Sequence, residues 1–74
     1  MSSLRTDRVN VRINGEERSL EAGTSVAAML GVLGASTPLV AVERNREIVP
    51  KAAYGSTLVE DGDEFEIVEF VGGG

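Results

Sequence analysis

The sequence predicts an α+β domain, with one mixed sheet of four to five strands and a single main helix packed across one face. Three observations carry that reading. An alternating apolar and polar stretch runs into Asn14-Gly15 and a second stretch returns from it, an apolar stripe at helical spacing runs from Val26 to Leu33, and a last apolar-rich stretch leads into Gly72-Gly73-Gly74. A hairpin first, a helix second and strands after it is a segregated order, not the regular β-α-β alternation of a parallel α/β sheet.

Val9, Val11 and Ile13 alternate with Asn10 and Arg12. A period of two marks a half-buried strand. Asn14-Gly15 is the dipeptide that best tolerates the positive φ angles of a two-residue hairpin turn, and Glu16 to Leu20 returns as the second strand. Ala22-Gly23 breaks it. Thr24 or Ser25 then supplies the hydroxyl that caps a helix. Val26, Met29, Leu30 and Leu33 share one helical face, and Gly34 suits the left-handed position just past the helix end. Gly31 lies inside the helix at a cost of about 1 kcal/mol against Ala, and a close approach to a neighbouring element would explain it. After Pro38, Leu39 to Val42 reads as a buried strand. Asn45-Arg46 falls at a turn, Glu47-Ile48-Val49 is a short strand, and Pro50 stops it because proline cannot donate to a ladder. Ala52 to Leu58 is irregular, with room for one helical turn near Tyr54. Asp61-Gly62 is a turn signal, and Glu64 to Val71 is the final strand. The expected division is a polar extension at 1–8, a folded domain at 9–71 and a flexible glycine tail at 72–74.

The chain has 74 residues, no cysteine and no histidine. A chain of this length buries only about 60% of its unfolded surface, so its core is small. Apolar residues make up 42% and charged residues 26%, a globular balance. Without cysteine there is no disulfide, thiolate metal site or thiol nucleophile, and without histidine the commonest general base is missing. No metal site is assigned on this composition. The net charge is -5, and every charge after Lys51 is acidic: Glu60, Asp61, Asp63, Glu64, Glu66 and Glu69. Such a surface repels nucleic acid. It is either a plain solvated face or a surface that steers a basic protein partner. Met1 to Arg8 lacks the apolar stretch of a signal peptide, and no apolar run is long enough for a membrane span. The expected location is cytoplasmic.

The tail is the most informative feature. Glycine has no Cβ, so three in a row make the thinnest thread a polypeptide offers, with a reach of roughly 10 Å. Such a thread carries its terminal carboxylate into a partner's narrow active site, where activation turns a poor acyl donor into a good one. An ordinary unstructured terminus has the same composition. What distinguishes this one is its direct junction to Phe70-Val71. In the preceding strand Phe65 and Ile67 take the core face, which turns Val68 and Phe70 outward. These two are either a docking patch beside the tail or ordinary scattered exposed side chains.

Val40-Ala41-Val42, Ile48-Val49-Pro50, Thr57-Leu58, Asp61-Gly62-Asp63, Glu66-Ile67-Val68 and the ending Phe70-Val71-Gly72-Gly73-Gly74 together resemble the ThiS family of sulfur carriers of thiamine biosynthesis. Asn14-Gly15 and Ala22-Gly23-Thr24 agree more loosely, and the resemblance runs from Val9 to Gly74. It implies the ubiquitin-like β-grasp fold. It also implies that the chain is a protein co-substrate and not an enzyme. An E1-like enzyme, using ATP and magnesium, adenylates Gly74; sulfur from a cysteine desulfurase or another source converts it to a thiocarboxylate; thiazole synthase takes the sulfur. The chain itself then binds no cofactor, and Gly72, Gly73, Val71 and Phe70 meet its partners, joined by Val68 where the outward patch is a docking one; a tail that must stay free also makes the free chain a monomer. Two departures stand out. Asn45-Arg46 falls where relatives often have Asn-Gly, which suggests a looser turn, and the segment before Val9 is long.

Related carriers serve molybdopterin or cysteine synthesis, and the approach Glu69-Phe70-Val71 lacks the proline typical of the molybdopterin subunit. A ubiquitin-like binding module that works only through its sheet face is the reading from another class. Catalysis by this chain's own side chains has the least support. Tyr54 reads as a packing residue and Lys51 as a solvated one. Asp61 and Asp63 flank a turn glycine, where Asp commonly bonds local backbone, with a weakly held hydrated magnesium as the functional alternative.

Overall fold

The computed structural model describes residues 7–35 and 40–70. Its elements are β1 (Arg8–Ile13), β2 (Glu16–Glu21), α1 (Val26–Leu33), β3 (Val40–Arg44), β4 (Glu47–Ile48), a 3-10 turn (Lys51–Ala53) and β5 (Glu64–Glu69). The five strands form one sheet in the order β2-β1-β5-β3-β4. Only the central pair, β1 with β5, is parallel. The elements therefore come in the expected order, and the sheet is mixed as expected.

Each alternation sets one sheet face. Val11 and Ile13 of β1, Leu20 of β2, Val40 and Val42 of β3, and Phe65 of β5 are buried, and they pack with Val26, Met29 and Leu30 of α1. The core is a single layer between sheet and helix, the small core that this chain length permits. Leu33 is only partly buried against it. Ser25, not Thr24, caps α1: its Oγ accepts from the Ala28 N–H at 3.0 Å. Thr24 instead donates its hydroxyl to the Glu21 carbonyl at 2.7 Å. The first two helix N–H groups are satisfied by the loop after β4, Val26 by the Thr57 carbonyl and Ala27 by the Tyr54 carbonyl, both at 2.8 Å. Gly34 closes the helix at φ 78°, in the left-handed region that glycine enters without penalty.

The structure corrects three expectations. A Cβ on Gly31 would meet nothing within 4 Å, so close packing does not explain that glycine. Gly31→Ala is therefore expected to raise stability by about 0.5–1 kcal/mol, the helix propensity difference; an unchanged or lower urea midpoint would show that a constraint has been missed. The Asn45-Arg46 turn is not loose. Both residues have positive φ, 51° and 73°, so it is as tight as the Asn14-Gly15 turn, with a non-glycine residue carrying the backbone cost. Finally, Arg8 and Asp7 are not part of a loose extension. β1 begins at Arg8, whose guanidinium donates to the Ser19 hydroxyl and carbonyl, both at 2.8 Å, and the Asp7 carbonyl accepts from the Ala22 N–H. The remaining expectations for 1–8, and that for Leu39, fall outside the described residues.

Candidate functional site

The functional site expected from the sequence is the end of β5 together with the glycine run beyond it. Val71, Gly72, Gly73 and Gly74 lie outside the described residues, so the structure speaks to the platform that precedes them. β5 is central in the sheet, parallel to β1 on one side and antiparallel to β3 on the other. Its two sides are unequal in length. Pairing with β3 runs from Phe65 opposite Arg44 to Glu69 opposite Val40. Pairing with β1 stops at Ile13 opposite Phe65, because the chain reverses at Asn14-Gly15.

Both tight turns reach back to β5 through asparagine side chains. At the start of the strand, Asn45 Oδ1 accepts from the Glu64 N–H at 3.0 Å, its own backbone N–H donates to the Glu64 carbonyl at 2.8 Å, and its Nδ2 donates to Asp63 Oδ1 at 3.0 Å. Further along, Asn14 Oδ1 accepts from the Ile67 N–H at 2.8 Å and its Nδ2 donates to the Ile67 carbonyl at 3.1 Å. A carboxamide has one acceptor and a donor pair, so it can stand in for a backbone peptide group. The Asn-Gly signature announces the turn; nothing in it announces this second role.

Asp63 is the single buried charged residue among those described. Its carboxylate accepts from Arg44 Nε at 2.9 Å, Asn45 Nδ2 at 3.0 Å and the Glu60 N–H at 2.8 Å. It ties the loop before β5 to the turn after β3. Asp61 is exposed, and its Oδ1 accepts from the Asn10 N–H at 2.7 Å. Asp63 thus bonds side chains and the local backbone of its turn, as turn aspartates do, and Asp61 bonds the backbone of β1. No group of three or more metal-ligating side chains of the His, Cys, Asp or Glu type occurs among the described residues. Tyr54 packs against the core and donates its hydroxyl to the Val40 carbonyl at 3.3 Å. It serves the fold, as its place in the sequence suggested.

The face of the sheet away from α1 carries the other expected residues. Val68 is 49% exposed and Phe70 57%. The register adds residues that the sequence did not single out. Val68 stands opposite Ala41, Glu66 opposite Glu43, and Glu43 opposite Ile48, which is 70% exposed. Residues directly opposite in an antiparallel ladder project to the same side, so Ile48, Glu43 and Glu66 form one row across three strands and Ala41 and Val68 the next row on the same face, with Phe70 following Val68. The facing pair Glu43 and Glu66 thus separates Ile48 from Val68. Like charges opposite one another weaken a ladder, a cost that a basic partner would offset. No helix among the described residues is long and apolar enough to cross a membrane.

The family model for the ThiS family matches residues 11–74. The thiazole synthase of Paramagnetospirillum magneticum is 58% identical over 62 residues, 84% of this chain but 19% of that protein. The thiazole synthase of Magnetococcus marinus is 39% identical over 66 residues, 89% of this chain and 20% of that protein. The chain thus spans about a fifth of the length of these two relatives. The sulfur carrier protein ThiS of Bacillus subtilis is 35% identical over 65 residues, 86% of this chain and 98% of its own. Among solved structures, the thiamine biosynthesis protein ThiS of Geobacter metallireducens superposes with a TM-score of 0.72 at 32% identity, covering 89% of this chain and all of that one.

Proposed function

The chain belongs to the ThiS family, and on that premise we propose that it is a sulfur carrier of thiamine biosynthesis whose working group is the Gly74 carboxylate. The observation that supports this reading is that the ThiS family match spans residues 11–74, a range that includes Gly72, Gly73 and Gly74. In the proposed cycle an E1-like enzyme binds ATP and magnesium, and the Gly74 carboxylate displaces pyrophosphate to form an acyl-adenylate. The terminal sulfur of a persulfide, such as that of a cysteine desulfurase, then displaces AMP to give an acyl persulfide, and a thiol of a partner or of the thiol pool attacks its S–S bond, forming a disulfide and releasing the thiocarboxylate. The chain is a co-substrate throughout, a monomer when free, and its partners hold the cofactors. A cytoplasmic location suits a cycle that needs ATP and a reducing thiol pool.

Thiazole synthase is the acceptor this reading names. Two proteins of that name contain a stretch similar to this whole domain, which supports carrier and synthase acting together. The test is the intact mass of the chain after incubation with ATP, magnesium, an E1-like enzyme and a sulfur donor. The expected gain is that of one oxygen replaced by sulfur, localised to Gly74 and absent without ATP. An unchanged mass with every activator that modifies a known carrier would refute the reading and leave a binding module of the same fold.

On the same reading the partners dock on the sheet face that carries Ala41, Val68 and Phe70, with Ile48 in the adjacent row, next to Val71 and the glycines. An exposed aromatic at the centre of an interface commonly carries a large share of its affinity. Phe70→Ala is expected to weaken binding to the activating enzyme at least about tenfold, with the thermal midpoint unchanged because Phe70 is not part of the core. Equal affinities in a calorimetric titration would remove Phe70 from the interface.

A further inference from the structure

The unequal sides of β5 leave a structural problem at Ile67. On one side β3 pairs with the strand to Glu69. On the other, β1 has turned away after Ile13, and the Ile67 N–H and carbonyl point into the gap it leaves. Asn14 fills that gap with its side-chain amide, accepting from one group at 2.8 Å and donating to the other at 3.1 Å. The two residues are 53 positions apart in sequence, so the bonds are tertiary and contribute nothing to the geometry of Asn14's own turn. That turn needs only a residue tolerant of φ 51°, which glycine or aspartate also provides. The carboxamide is required by Ile67, since only a group with both a donor and an acceptor satisfies both backbone atoms.

Ile67 is therefore the last residue of β5 held on both sides, and the direction in which Val68, Glu69 and Phe70 leave it sets where the tail starts. We infer that Asn14 is a positioning residue for the chemistry at Gly74, acting as a one-residue surrogate strand that holds the launch point of the tail while the sheet face docks. The inference rests on the carrier reading proposed above. A tail of fixed length delivers its carboxylate only as far as its base allows, so a displaced base shortens the reach at the reacting centre, where misplacement by about 1 Å can lower a rate by around a hundredfold. Docking through the open face does not depend on Asn14, whose bonds lie at the strand edge. The signature is then a fall in turnover with little change in apparent affinity.

The test uses Asn14→Gly, which keeps the tight turn and deletes the amide, and Asn14→Asp, which keeps the acceptor for the Ile67 N–H but sets a carboxylate oxygen against its carbonyl. Both are compared with wild type well below the thermal midpoint. Two readouts are taken: site-resolved amide exchange, and pyrophosphate release by an E1-like enzyme as a function of carrier concentration. For Asn14→Gly the expected result is exchange at Ile67 about tenfold faster with the Leu20 amide of β2 unchanged, kcat lowered about tenfold and KM within about twofold of wild type. Asn14→Asp should lose turnover as well, because one of its two bonds is replaced by repulsion. Unchanged kcat in both variants, or exchange that rises equally over the whole sheet, overturns the inference while the carrier reading stands. A wild-type chain that no activating enzyme adenylates overturns both.

Discussion

Deletion of Gly73 and Gly74 is expected to abolish thiocarboxylate formation entirely while leaving the domain as stable as before. The new terminus would still be a glycine carboxylate, at Gly72, so the chemistry of the group is not what is lost. What is lost is reach. Each extended residue spans roughly 3.3–3.6 Å, and removing two withdraws the carboxylate by about 7 Å from wherever docking had placed it. Acyl transfer demands reacting atoms within about 3–3.5 Å of each other, so the shortened chain docks and does not react. The core residues all lie between Val11 and Phe65, hence the unchanged thermal midpoint. Intact mass after activation and a melting curve decide the matter together. A truncated chain that still gains sulfur would show that Gly74 is not the working group, and one that keeps a measurable cellular function without sulfur would favour the binding module.

The largest expected loss of stability is at Asp63. Its side chain is 7% exposed, and it holds Arg44, Asn45 and the Glu60 N–H together. Asp63→Ala strips three donors of their acceptor at once and leaves the Arg44 side chain, itself only 26% exposed, with Glu60 at 3.6 Å as its remaining ion-pair partner among the described residues. Breaking a buried charged network from one side costs about 3 kcal/mol. In a domain this small that is a large part of the total stability, and it corresponds to a fall in the thermal midpoint of about 15 °C. Asp61→Ala is the control: it removes one exposed bond to Asn10 and should lower the midpoint far less. Equal midpoints for the two variants would mean that the Asp63 network adds nothing beyond an ordinary turn.

Asp61 and Asp63 also show where sequence reading stops. They are the same residue type on either side of Gly62, and nothing local ranks one above the other. Their difference arises because Arg44 and Asn45, from a distant turn, close over Asp63 alone. The same is true of Asn14, whose turn is legible in the sequence and whose grip on Ile67 is not. Thr24 and Ser25 are equally good caps by residue type; the bond of Thr24 to Glu21 and the bridge between Ser25 and Leu58 set the helix to begin at Val26. Arg46 misleads in the opposite direction. The missing glycine suggests a looser turn, but pairing of Glu47 and Ile48 against β3 imposes the positive φ angles regardless.

What the sequence determined alone is whatever depends on neighbours within a few residues: the alternation of β1 and β5, the apolar stripe of α1, the glycine at its end, the hairpin turn and the glycine run at the terminus. These arise from steric and hydrophobic preferences that act over one turn of helix or two residues of strand. They were enough to point to the fold, and the residue pattern was enough to point to the family. What only the tertiary structure decided is which polar groups meet across the sheet and which apolar side chains share its open face. Ile48 comes to the same face as Val68 only through the register of β4 on β3 and of β3 on β5, and Asn14 finds Ile67 only because β1 turns away while β5 continues. A hydrogen bond forms within about 3 Å and only along narrow directions, so its partners are chosen by the assembled backbone and not by position along the chain.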